Sequence, residues 1–157
     1  MSIDEIKHLL DVAKGYIGSR AGIISHVGCI ATHQALDLAQ FAAEKKVDAI
    51  SSIPPFYYKF SSEAIKQFYF DIVNESGLPM IVYNFPDLSW ATLTTQNIKE
   101  LAENPLKVGI KHTSKDLYQL ERMKPQNGKL RLYNGHDEIY LGSLDLGIGN
   151  AMVIVKD

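Results

Sequence analysis

The chain has 157 residues, a formal net charge of −2, 46% hydrophobic and 22% charged residues, a balance that suits a globular domain rather than a disordered or fibrous chain. With acids slightly ahead of bases, no extended cationic surface draws in phosphate backbones or anionic membranes, so neither nucleic acid nor a membrane is an expected partner. The one cysteine, Cys29, cannot close an internal disulfide, no apolar run reaches the ~18 residues of a membrane span, and the opening Met1-Ser2-Ile3-Asp4-Glu5 is too acidic for a signal peptide; the cytoplasm is the expected compartment.

The first expected element is an amphipathic helix over Ile3–Lys14, opened by Ser2 and Glu5 at capping-box spacing. Apolar runs rich in β-branched residues then alternate with stretches of helical period. Strands are expected at Gly22–Gly28, Asp48–Ile53, Pro79–Asn84, Lys107–His112, Leu130–Asn134 and Asn150–Val155. Helices are expected between them at Thr32–Lys45, Ser62–Glu75, Thr94–Glu103, Asp116–Met123 and Asp137–Leu146, several opening on a side chain that accepts from orphan amides. This alternation marks parallel βαβ units and an α/β fold. A helix that leads such a right-handed series normally follows a strand of the same sheet, which places an expected strand before Met1. Short connections, with no Gly/Ser linker or charge block, predict a single domain over residues 1–157. A closed eight-stranded barrel takes ~250 residues. About six strands therefore predict a partial (β/α)8 TIM barrel, lacking its first two strands and the C-terminal helices, whose open edge favours association.

Three strand ends carry chemistry. In Val108-Gly109-Ile110-Lys111-His112-Thr113-Ser114, period-two alternation sends Gly109, Lys111 and Thr113 to one face and His112 to the other. A lysine among apolar neighbours is biased towards the neutral amine, which attacks a carbonyl carbon to form a Schiff base; a strand-end lysine whose head snorkels into solvent is the plainer alternative. Met80-Ile81-Val82-Tyr83-Asn84-Phe85-Pro86 puts Tyr83 at the matching end of the preceding strand, within ~4.8 Å of strand spacing, where a phenol relays protons or merely caps the core. Tyr133-Asn134-Gly135-His136-Asp137-Glu138 offers a glycine for close approach and two carboxylates that accept from sugar-like hydroxyls, or that simply favour the positive end of the next helix.

Together with His26-Val27-Gly28-Cys29 and Ser52-Ile53-Pro54-Pro55-Phe56-Tyr57-Tyr58, these blocks resemble, in order and spacing, the N-acetylneuraminate lyase branch of the dihydrodipicolinate synthase and N-acetylneuraminate lyase superfamily of class I aldolases. The resemblance implies that Lys111 is the Schiff-base lysine and Tyr83 the proton-relay tyrosine. It implies that Thr113 contacts substrate, and that Gly135, Asp137 and Glu138 hold the hydroxyl tail of the sugar. It further implies a small-molecule substrate, sialic acid or pyruvate, and a homo-oligomer, a tetramer in the family. The protonated imine serves as electron sink, so neither metal nor organic cofactor is implied. The Lys-His-Thr-Ser run and the Asp-Glu pair are more similar to the sialic acid branch than to the dihydrodipicolinate synthases, and Tyr57 or Tyr58 is implied to lie near a subunit interface and the site.

Three departures bear on activity. No residue matches the family's glycine-serine-threonine-glycine-glutamate motif, which cradles the pyruvate carboxylate and supplies its orientation and charge stabilisation. Trp90 stands where the family has a glycine, and Ile154 where a substrate-binding serine is expected. A catalytically silent relative of the family is thus the alternative to an aldolase. His26 and Cys29 lack the two further ligands of a zinc site, and Gly147 and Gly149 lack the third glycine of a dinucleotide fingerprint, so neither metal nor nicotinamide is expected.

Overall fold

The capping box at the N-terminus forms. Ser2 Oγ accepts from the Glu5 backbone N–H at 3.2 Å, and the Ser2 N–H donates to Glu5 Oε2 at 2.7 Å. These bonds open helix α1, Ile3–Ile17, in the computed structural model, which describes residues 1–89, 95–103, 106–124 and 130–152. The remaining elements are β1 (Ile24–His26), α2 (Thr32–Glu44), β2 (Ala49–Ser52), α3 (Ser62–Ser76), β3 (Met80–Asn84), α4 (Pro86–Ser89), α5 (Thr95–Glu103), β4 (Lys107–His112), α6 (Leu117–Arg122), β5 (Arg131–Asn134), a 3-10 turn (Asp137–Ile139), α7 (Tyr140–Asp145) and β6 (Asn150–Ala151).

All six strands join one sheet in the order β1-β2-β3-β4-β5-β6, each neighbour parallel, with helices alternating along it as a curled half-barrel. The expected partial TIM barrel is thus the architecture. The differences lie at element ends. β1 is shorter than Gly22–Gly28 because it bonds to a neighbour on one side only, although the Val27 N–H still reaches Ser51 O at 2.8 Å beyond its end. Pro86 starts the unforeseen α4, where its missing N–H costs nothing. The helix expected at Asp137–Leu146 opens as a tighter 3-10 turn. Trp90 and Ile154 lie outside the described residues.

Alternation divides the sheet chemically. Ile50, Met80, Val82, Ile110 and Leu132 face the helices and form the core with Ala35, Leu38, Ala39 and Ala42 of α2 and Ile65, Phe68, Ile72 and Val73 of α3. Each fully buried large aliphatic side chain there contributes roughly 1.5–3 kcal/mol. The register sets His26 beside Ser51, and Lys111 beside both Tyr83 and Tyr133; partners across a parallel ladder share a face, so these polar side chains line the concave side. Gly109 belongs to the same face, where an added Cβ would stand 2.8 Å from the Tyr133 ring and 2.9 Å from Arg131 O.

Candidate active site

Lys111 is the centre of the concave face. It is 6% exposed, and its Nζ lies 3.9 Å from the centroid of the Tyr83 ring. Among the described residues the ammonium meets no carboxylate and donates no hydrogen bond, so the attraction of the ring face replaces part of its lost hydration. Tyr83 is held in turn: Phe85 stacks parallel to it at 6.0 Å, and the His26 ring meets it edge-on at 6.1 Å.

His26 was discounted from sequence, yet it borders this pair. Its Nδ1 sits 3.2 Å from Ser51 Oγ, and its imidazole is held below the ordinary histidine range, first by desolvation and then by the Lys111 charge. Ser51 lies outside the quoted blocks, and Tyr133 and His26 stand within them without an assigned role. The signal that finds them is register, since Ser51 pairs with His26 and Tyr133 with Lys111.

Thr113 and Gly135 stand one above the other at the carboxyl ends of β4 and β5. The Thr113 N–H donates to Asn84 O at 2.9 Å, and the Gly135 N–H to His112 O at 2.9 Å. Thr113 Oγ1 is buried without a hydrogen-bond partner among the described residues, and a Cβ on residue 135 would fall 2.0 Å from it. That approach requires glycine at 135. Asp137 and Glu138 follow in the 3-10 turn, exposed to solvent, and neither pairs with Lys111 among the described residues. Glu138 Oε2 lies 3.3 Å from His136 Nδ1; its own backbone N–H, then Asp137 and His136, hold its carboxyl below the usual range. The structure therefore gathers Tyr83, Lys111, Thr113 and Gly135, with Asp137 and Glu138 on the exposed rim after β5. Tyr57 and Tyr58 pack against each other edge-on at 4.8 Å in the exposed loop after β2.

The opposite face carries a buried polar pair directly behind the site. Asn84 Nδ2 donates to His112 Nδ1 at 2.8 Å, which leaves the imidazole proton on Nε2. Burial lowers the His112 pKa from 6.5 to about 4 against the opposing pull of Asp116, Gln119 and Asp87, while His136 lowers it further. Gln119 comes near, but Nε2 finds no aligned partner among the described residues. Because the folded pKa lies below the unfolded one, the unfolded state takes up the proton first as pH falls. The stability held above pH 6.5 should thus be lost between pH 6.5 and about 4, on the order of 3 kcal/mol in all. Urea denaturation across that window should show the loss, and the slope should flatten in His112→Gln.

Residues 1–155 match the sequence pattern of the dihydrodipicolinate synthetase family, nearly the whole chain. This chain belongs to that family. Within it, the chain is 43% identical over 152 residues to the N-acetylneuraminate lyase of Rhizobium meliloti (strain 1021), covering 96% of this chain and 50% of that protein. It is 38% identical over 159 residues to the enzyme of the same name from Escherichia fergusonii, covering 98% and 54%. Among solved structures, CdNal from Clostridium difficile, determined in complex with mannosamine, superposes with a TM-score of 0.93 at 35% identity, over 98% of this chain and 53% of that one. The N-acetylneuraminate lyase of Fusobacterium nucleatum gives 0.91 at 31% identity, over 98% and 53%. The chain spans about half the length of these relatives.

Proposed function

We propose that the chain carries the imine-forming part of an aldolase site of the N-acetylneuraminate lyase type. The observation that supports this most is Lys111, a buried amine without a counter-ion among the described residues, paired in register with Tyr83 on the polar side of a parallel half-barrel. In this reading the Lys111 amine, its proton given up to solvent, adds to the C2 keto carbon of the sugar acid, and the adduct takes up one proton and loses water to leave a protonated imine. Tyr83 accepts the proton of the C4 hydroxyl as it passes its own phenolic proton to solvent, the C3–C4 bond breaks, and its electron pair moves into the imine to give an enamine and N-acetylmannosamine. Protonation at C3 and hydrolysis then release pyruvate and return the amine.

Thr113 would contact the substrate, and Gly135 together with Asp137 and Glu138 on the rim would hold its hydroxyl tail, the two carboxylates accepting from it. We further infer assembly into a homo-oligomer, a tetramer by family resemblance, in the cytoplasm. The apolar stripe Leu9, Val12 and Tyr16, exposed along α1 at helical spacing, supports association, and no described helix is long and apolar enough to cross a membrane.

The decisive experiment is incubation with pyruvate, reduction with borohydride and peptide mass mapping. A reduced pyruvyl adduct on Lys111 is expected. No adduct, or one scattered over the surface lysines Lys14 and Lys46, would instead support the catalytically silent reading.

A further inference from the structure

The concave face holds the proposed chemistry, but its geometry is fixed from behind. Asn84 directly follows Tyr83, and His112 directly follows Lys111; in the β3–β4 register Tyr83 lies opposite Lys111 and Asn84 opposite His112. The 2.8 Å bond between Asn84 Nδ2 and His112 Nδ1 therefore spans the same two strands one residue beyond the lysine and tyrosine, on the other face of the sheet. The carbonyls of these two residues also receive the N–H groups of Thr113 and Gly135. Four of the proposed site residues are thus chain neighbours or hydrogen-bond partners of one buried pair.

We propose that Asn84 and His112 act as a positioning pair: their side-chain bond locks the carboxyl ends of β3 and β4 so that Lys111 Nζ stays over the Tyr83 ring, ready to meet a keto carbon. This rests on the aldolase reading and adds to it two residues that touch no substrate. The pair is poorly explained as packing alone. Both residues are at most 1% exposed, and among the described residues both leave a polar atom unsatisfied, Asn84 Oδ1 and His112 Nε2, where two apolar side chains would carry no such penalty. What the polar pair supplies and an apolar one does not is a directional bond between two particular strand positions.

Two readouts on the 157-residue chain test this. The first is the rate of borohydride-trapped pyruvate adduct on Lys111. The second needs no reaction. A lysine stacked 3.9 Å from a tyrosine centroid has its ε-methylene protons in the ring current, so their NMR resonance should be displaced upfield. His112→Leu should lower the trapping rate at saturating pyruvate roughly tenfold, as expected for a reacting group held out of line, with the half-saturating concentration changed less than about twofold. It should also return the ε-methylene resonance towards its solvent position. His112→Gln, whose carbonyl can accept from Asn84 Nδ2, should restore both readouts to within about threefold of wild type. Should His112→Leu not fold, Asn84→Ser, too short to span the strands, carries the same comparison. The proposal is overturned if the broken variants keep the wild-type resonance, if His112→Gln is as impaired as His112→Leu, or if only stability changes. If wild type forms no adduct, the aldolase reading fails, and the ring-current comparison still decides the positioning.

Discussion

Lys111→Met is expected to abolish adduct formation with pyruvate while making the protein more stable. The loss follows because methionine keeps the length of the side chain but has no nucleophile, and His26 and Tyr83 offer no amine in its place. The gain follows from burial. Lys111 is 6% exposed and has no carboxylate among the described residues, so folding strips water from a charge that only the Tyr83 ring face compensates. An apolar side chain of similar shape escapes that cost, and a rise of about 1–2 kcal/mol in unfolding free energy is expected from comparable replacements of buried charge. Urea denaturation beside mass mapping measures both. An activity lost and a stability gained at one position are what separate a strained functional group from a structural one. If Lys111→Met proved destabilising, the lysine would be making a favourable contact in the fold, and the burial argument for a functional amine would have to be abandoned.

Gly135→Ala should be the most disruptive single-methyl change in the site. Its Cβ would arrive 2.0 Å from Thr113 Oγ1 and within 2.9–3.0 Å of the Thr113 Cβ and Cα, so the strand end has to move, not just a rotamer. Overpacking of this kind costs about 2–3 kcal/mol, and the displaced β5 end should weaken pyruvate binding as well. Thr113→Ala by itself should change stability by less than about 0.5 kcal/mol, because the hydroxyl it removes is buried without a partner among the described residues. Combined, the two changes should be non-additive: deleting Oγ1 removes the closest clash and should return about 1 kcal/mol of the loss. A double-mutant cycle by chemical denaturation reads the coupling directly, and strict additivity would show that the two residues do not meet.

Much of this was legible before any coordinates. The alternation of β-branched runs with helical periods placed all six strands, because the strand face turned to the helices must be apolar and a helix packed on it must be amphipathic. The frayed definition at β1 and at the Asp137 turn was not legible, since those ends depend on which neighbour supplies a hydrogen bond rather than on the residue itself. Tyr83 and Lys111 were legible as strand-end residues of unusual type. Ser51, His26 and Tyr133 were not, because nothing in Ala49-Ile50-Ser51-Ser52 distinguishes which serine meets a histidine until the register is known.

The amino-acid order by itself determined the class of fold, the family blocks and which face each strand residue takes, because period two and period 3.6 are properties of the backbone alone. Tertiary structure decided what those faces meet: that the Lys111 ammonium lies over the Tyr83 ring, that Thr113 fills the space a side chain at 135 would need, and that Asn84 grips His112 behind them. Such contacts are set by how parallel strands register and curl against their helices, a long-range balance of packing and hydrogen bonding that no local stretch encodes.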